Sequence, residues 1–386
     1  MKLTYIILGF IFSAFLSACG GGGKSFSGGG NSNDYRGQFI SSSLIDSRRT
    51  IPYKTKAYKI TYYTVGVDGS KIKASGLLAI PQKDKNEKSP LLSYQHGTIF
   101  LNEQAPSKSH STADAIMTFA GFGYIISAPD YIGYGESFGQ IHPYIQANTL
   151  ASASLDMLRA SKQFLQSQKI KINKQLFLAG YSEGGYATLA LQKSIQQEYA
   201  SEFTVTASAS GAGSYDLTGT ATFLANQENN GHPAYMSFLL KAYDTVYHLN
   251  KISDMYQSPY IDVVNTVFDG LHSSGTINSS LTNTTADLFE PDFLAALQGT
   301  EDHVIKEKLA LNNIYDWKPD APTRFFHSPN DEVVPYANSQ KALSVMRANG
   351  ANSVSLRDCP FNSHVDCALP YILDTRNFFA RYVDDL

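Results

Sequence analysis

Three cysteines in 386 residues are too few for a disulfide-built scaffold, so the chain has to hold itself together with a hydrophobic core. Charge is scarce as well. Asp, Glu, Lys and Arg make up 17 % of the sequence, the net charge is −3, and the 31 Lys and Arg are scattered rather than gathered into a stripe that would neutralise phosphates. Nucleic acid is not an expected partner. Nor is a metal, because Cys359, His364 and Cys367 would supply only three ligands and no C-x-x-C pair. The apolar run from about Tyr5 to Leu16 is too short to span a bilayer stably. What the sequence has in quantity is core material: 43 % hydrophobic residues, among them 24 Tyr and 22 Phe, which fits a globular enzyme and not a disordered chain.

That early apolar run follows Met1-Lys2 and so has the charged start and compact apolar stretch of an export signal. It ends in Leu16-Ser17-Ala18-Cys19, which resembles a bacterial lipoprotein cleavage site, with Cys19 as the lipidated first residue of the mature chain. An ordinary secretory signal is the alternative. Residues 1–18 are read as the signal peptide and 19–38 as the lipidated cysteine with a flexible tether, since Gly20 to Asn33 is almost devoid of apolar side chains. The expectation is an exported protein held to a membrane of the cell envelope. With Cys19 carrying lipid, Cys359 and Cys367 are left eight positions apart in an oxidising compartment and are expected to form a disulfide.

Beyond the tether, Ala57–Val65 and Ile72–Ile80 read as an antiparallel pair of strands joined at Val67-Asp68-Gly69-Ser70. Short apolar runs follow at Pro90–Tyr94, Tyr124–Ala128, Gln175–Ala179, Thr204–Ser208 and Thr323–His327. Helix-like stretches intervene at 112–120, 147–168, 183–199 and 335–349. Short buried strands alternating with helices mean a mostly parallel central sheet with helices on both faces, an α/β fold. The alternation stops between 213 and 318, where helical, aromatic sequence suggests an inserted helical cap; 39–212 and 319–386 are then the two parts of the core. Helices are expected near 233–249, 260–271 and 292–310, with a polar, turn-forming stretch at 273–285.

The segment Ala179-Gly180-Tyr181-Ser182-Glu183-Gly184-Gly185-Tyr186 carries a G-x-S-x-G pattern between a strand and a helix. That context places Ser182 on a tight, strained turn from which small flanking residues clear the side chains. A serine hydroxyl needs a base and an acid to become a nucleophile, and on this kind of sheet the chain order is serine, acid, histidine. Asp331 follows the strand at Thr323 and is the expected acid, with Glu332 as the alternative; His364 is the only histidine after it. The oxyanion of an acyl-transfer step needs two amide donors, expected at Glu183 and at Thr98 of Gln95-His96-Gly97-Thr98, with Gly97 as the alternative. His96, His327 and Asp130 are read as structural groups near the site. In the cap, the stripe containing Phe238, Leu239, Tyr243 and Tyr247 either lines an apolar acyl site or simply packs the core; Tyr181 is a further candidate for substrate contact.

Together, Ser93-Tyr94-Gln95-His96-Gly97-Thr98, Pro129-Asp130-Tyr131-Ile132-Gly133-Tyr134-Gly135, Gly180-Tyr181-Ser182-Glu183-Gly184-Gly185 and Asp331-Glu332-Val333-Val334-Pro335 resemble the secretory lipase branch of the α/β-hydrolases. The likeness runs from about Ala57 to Val383. It implies hydrolysis of acyl esters, small or lipid, without a cofactor, and an acyl pocket between cap and core. Two other readings stay open at this point. A prolyl-type serine peptidase uses the same fold and residue order, and a degenerate hydrolase could serve as a surface binding protein.

Overall fold

The computed structural model describes residues 35–299 and 301–386. The expected signal peptide, Cys19 and the stretch to Asp34 lie outside the described residues. Tyr35–Gln38, read above as the end of the tether, are instead held against the body of the protein. Arg36 binds Asp156 at 3.2 Å and the Tyr199 hydroxyl at 2.8 Å, and the Gly37 amide donates to the Tyr63 carbonyl.

Among the described residues, nine strands form one sheet: β1 (Phe39–Arg48), β2 (Thr55–Val65), β3 (Lys71–Pro81), β4 (Ser89–Gln95), β5 (Ile125–Pro129), β6 (Ile172–Tyr181), β7 (Val205–Gly211), β8 (Thr323–His327) and β9 (Val354–Asp358). Their spatial order is β1-β2-β3-β5-β4-β6-β7-β8-β9. The first three strands, and β3 with β5, pair antiparallel; from β5 across to β9 every neighbouring pair is parallel. β1 was not expected. Its sequence, rich in serine, lies mostly exposed at the sheet edge and carries no alternating apolar signal.

Three helices cross between the central strands: α1 (His110–Gly121), α2 (Ala147–Ser167) and α3 (Glu183–Glu198). The cap region contains α4 (Leu217–Ala225), α5 (Pro233–Val246), α6 (Ile252–Met255), α7 (Tyr260–Thr266), α8 (Ser274–Ser280), α9 (Thr285–Leu288), α10 (Pro291–Gln298) and α11 (Val304–Leu311). α12 (Ala337–Ala348) and α13 (Ala368–Phe379) complete the chain. Two of the cap expectations are corrected. The stretch 273–285 is not a turn: α8 starts where the Ser273 side chain accepts from the Thr276 amide, a local cap that offsets its weak helix formers. The single helix expected over 292–310 is two, because Gly299 at φ 99° ends α10 in a left-handed conformation.

Strand residues alternate between the two faces, and each face has its own core. Leu77, Leu92 and Phe177 pack with α1 and α13, through Ile116, Phe119, Tyr371 and Phe379. Their neighbours Leu78, Leu91 and Leu178 pack with α2 and α3, through Leu155, Leu158, Leu191 and Ile195. A third core joins the cap to the strand exits, so the cap helices bury their apolar stripes against the end of the sheet where the parallel strands terminate.

Candidate active site

The end of β6 turns sharply into α3, and Ser182 sits on the turn with φ 61° and ψ −125°, a conformation that a side-chain-bearing residue adopts only when its surroundings enforce it. The Ser182 amide is tied to the Gly211 carbonyl at the end of β7 at 2.8 Å. The turn is also crowded by its neighbours. A Cβ on Gly184 would lie 2.1 Å from the Gln95 carbonyl oxygen, and one on Gly185 would lie 2.1 Å from that of Gly211, so glycine at these positions lets α3 approach β4 and β7.

His364 follows β9 and Asp331 follows β8, both on loops at the carboxyl ends of parallel strands, where open α/β sheets place their sites. His364 Nε2 lies 2.8 Å from Ser182 Oγ, and Nδ1 lies 2.6 Å from Asp331 Oδ2. The alternative acid, Glu332, faces elsewhere: its Oε2 accepts the backbone amide of His364 at 2.9 Å. Asp331 is buried, and burial alone would push its pKa up. Hydrogen bonds from His327 and His364 overcome this and hold the carboxyl well below the usual range. Two amides, of Val333 and Val334, donate to its other oxygen at 2.9 and 2.8 Å.

The structural readings of the nearby polar residues agree with their contacts. His327 Nε2 lies 3.0 Å from the Val334 carbonyl and 3.2 Å from Asp331 Oδ2, so it braces the acid. His96 bridges the exits of β4 and β5 through the carbonyls of Gly97 and Asp130. The Asp130 carboxylate gathers Ser75 and both the amide and hydroxyl of Ser107. Cys359 and Cys367 are joined by a disulfide whose loop carries His364, and the Tyr181 hydroxyl donates to the His364 carbonyl at 2.8 Å.

Glu183 directly follows Ser182 and Thr98 follows Gly97 at the exit of β4, and neither amide donates to a protein acceptor among the described residues. The Thr98 hydroxyl is 2.8 Å from that of Tyr144. Gly97 lies against the turn: a Cβ there would be 3.6 Å from Ser182 Cβ.

An apolar cleft opens beside Ser182. From the cap it is lined by Leu217 and Leu224 of α4 and Tyr235, Met236 and Leu239 of α5; from the core, by Tyr144, Ile145 and Val334. Of the residues expected to contact substrate, Leu239 is here and Tyr181, Phe238 and Tyr243 are not. Tyr181 is turned under the site against His364 and Tyr371. Phe238 is buried between Tyr144 and Phe268, stacked at 4.6 and 5.0 Å, and Tyr243 spends its hydroxyl on the Ile145 carbonyl. Only one edge of the α5 stripe reaches the cleft; the rest fixes the cap to the core. The α4 contribution was missed, although Leu217 and Leu224 stand seven positions apart on one helix face. The pairing of His142 with Glu183 had no sequence signal, since the two are 41 positions apart.

Sheet order, the strained serine turn after a central strand and the helical cap define an α/β-hydrolase. Within that class the chain belongs to the secretory lipase family, whose profile matches residues 110–370. A secreted triacylglycerol lipase of Malassezia globosa is 28 % identical over 311 residues, covering 75 % of this chain; the chain spans only 62 % of that relative's length. The rice cell wall degrading esterase LipA of Xanthomonas oryzae is 27 % identical, with a TM-score of 0.83 over 90 % of this chain and 100 % of the other. Candida antarctica lipase A shares the fold at 18 % identity, with a TM-score of 0.67 over 91 % of this chain and 84 % of the other.

Proposed function

We propose that the protein hydrolyses carboxylic esters of apolar acyl groups through an acyl-enzyme on Ser182. The observation that carries this reading is the continuous hydrogen-bonded line Ser182 Oγ–His364 Nε2, His364 Nδ1–Asp331 Oδ2, lying at the mouth of an apolar cleft. His364 takes the serine proton as Ser182 attacks the ester carbonyl, and hands it to the departing alcohol. It then draws a proton from water, which attacks the acyl-enzyme, and returns that proton to Ser182 Oγ as the acid is freed. Asp331 keeps the imidazole oriented and stabilises its charged form. The amides of Glu183 and Thr98 receive the oxyanion, an arrangement worth about 10²–10³ in kcat per donor.

Family membership and the names of the relatives, lipase and esterase, support the ester reading. The cleft's hydrocarbon lining suits an acyl chain better than a peptide. The test is turnover of p-nitrophenyl esters of increasing chain length beside a prolyl-peptide amide. The proposal expects ester turnover with an optimum set by the cleft and negligible amide turnover; the reverse would favour a peptidase, and neither would favour a binding protein.

For location, the secreted relative supports export, and we infer that a lipid on Cys19 holds the protein at a membrane. Metabolic labelling with a radioactive fatty acid should mark the native chain and not Cys19→Ser. Equal labelling would contradict the anchor.

A further inference from the structure

The amide of Glu183 is the proposed oxyanion donor, yet the side chain of the same residue is an acid, buried beside it. A bare carboxylate there would oppose the negative charge that develops during acyl transfer, and in a poorly solvated site such opposition is strong. The structure supplies its counterpart. Glu183 Oε1 lies 2.7 Å from His142 Nε2, and the two side chains are 1 % and 2 % exposed. On the other edge of the ring, His142 Nδ1 is 2.7 Å from the Ile132 carbonyl oxygen, which can only accept, so Nδ1 carries a hydrogen. The short Nε2–Oε1 contact then needs one proton between its atoms, and the pair is uncharged as a whole whichever atom keeps it.

Among the described residues, His142 is the one ion-pair partner of Glu183. The remaining titratable side chains facing Glu183 are His96 from the β4 exit, Tyr131 and Tyr134 from the β5 exit and Tyr144 beside His142. Burial lowers the pKa of His96 and raises those of the three phenols, so it opposes charge on each of the four. His364 lies across Ser182 and is committed to Asp331. The His142 ring is itself held in place by Tyr131, Tyr134 and Phe238, with centroids 5.8, 5.0 and 6.0 Å away.

We propose that His142 is a positioning residue of the oxyanion hole: it neutralises the buried Glu183 carboxyl and ties it, through Ile132, to the exit of β5. The proposal rests on the acyl-transfer reading of Ser182. Its test therefore follows a step that does not depend on the natural substrate, phosphonylation of Ser182 by a fluorophosphonate, alongside ester turnover.

His142→Gln should slow both the phosphonylation rate and kcat by about 10-fold to 10²-fold, as for a weakened oxyanion donor, with KM changed less than about threefold. Adding Glu183→Gln to H142Q should recover at least about tenfold, since it removes the uncompensated charge. A merely structural role would show no such rescue. H142Q within about threefold of native, or a double variant no faster than H142Q, would overturn the proposal. Should H142Q fail to fold, the double variant is compared with E183Q: a ratio within about threefold upholds the proposal, and a loss of tenfold or more overturns it. A native protein that is phosphonylated on Ser182 but turns over no ester would count against the ester reading while leaving the His142 comparison intact.

Discussion

Asp331 accepts two backbone amides, His364 and His327, four donors around one buried carboxylate. With so many donors it is ionised at any pH at which the protein works, and its depressed pKa links it to stability. A group whose pKa is lowered on folding stabilises the native state above its unfolded value, about 4, and this stabilisation is lost as pH falls further. Asp331→Asn should therefore flatten the acid side of the stability curve: melting temperature should fall more steeply between about pH 5 and 3 for the native protein than for the variant. Parallel curves would contradict the assignment. The same substitution should lower kcat by on the order of 10³–10⁴, because Asn can hold the imidazole in the wrong tautomer.

The elements differ in how openly their sequences announce them. Ser182 was legible because its pattern sits between Leu176-Phe177-Leu178 and a helix, and His364 because it is the only histidine after Asp331. Those are local or ordinal signals. The cleft was not legible, since a periodic stripe shows that a helix buries a face without showing which partner covers each residue; Phe238 and Leu239 are adjacent, and of the two only Leu239 lines the cleft beside Ser182. This distinction is testable. Leu239→Trp should narrow the cleft and shift the preferred acyl length downward with little change in melting temperature. Phe238→Ala should cost about 3–5 kcal/mol of stability, as large cavities in a packed core do, and leave the preferred length nearly unchanged. Swapped outcomes would move the acyl site. The His364 loop is a second such element. Closing the loop between Cys359 and Cys367 constrains the unfolded chain by about 2–3 kcal/mol in the entropy picture, and the Tyr181 hydroxyl pins the same loop from beneath. Cys359→Ser with Cys367→Ser should lower melting temperature by several degrees and reduce kcat more than it raises KM, since a 1 Å displacement of a base costs on the order of 10² in rate. Full activity in the double variant would show that the loop holds its shape unaided.

At the scale of the whole molecule, parallel pairing from β5 to β9 brings the exits of β4, β6, β8 and β9 to one edge, so residues far apart in the chain converge on Ser182. The cap closes over the same edge, bringing Leu217, Tyr235, Met236 and Leu239 to the mouth of the site. Alternating strands and helices made this topology legible in advance, whereas the exposed serine-rich β1 and the His142–Glu183 pairing depend on contacts that no local pattern encodes. In the proposed mechanism an ester's acyl group passes through Ser182. Stopping the reaction with acid during steady turnover of a p-nitrophenyl ester, digesting the protein and weighing its peptides tests this directly. One acyl adduct is expected, on the peptide containing Ser182, absent from Ser182→Ala, with turnover in that variant reduced by at least about 10⁴-fold. An adduct on another residue, or ester turnover that persists in Ser182→Ala, would contradict it.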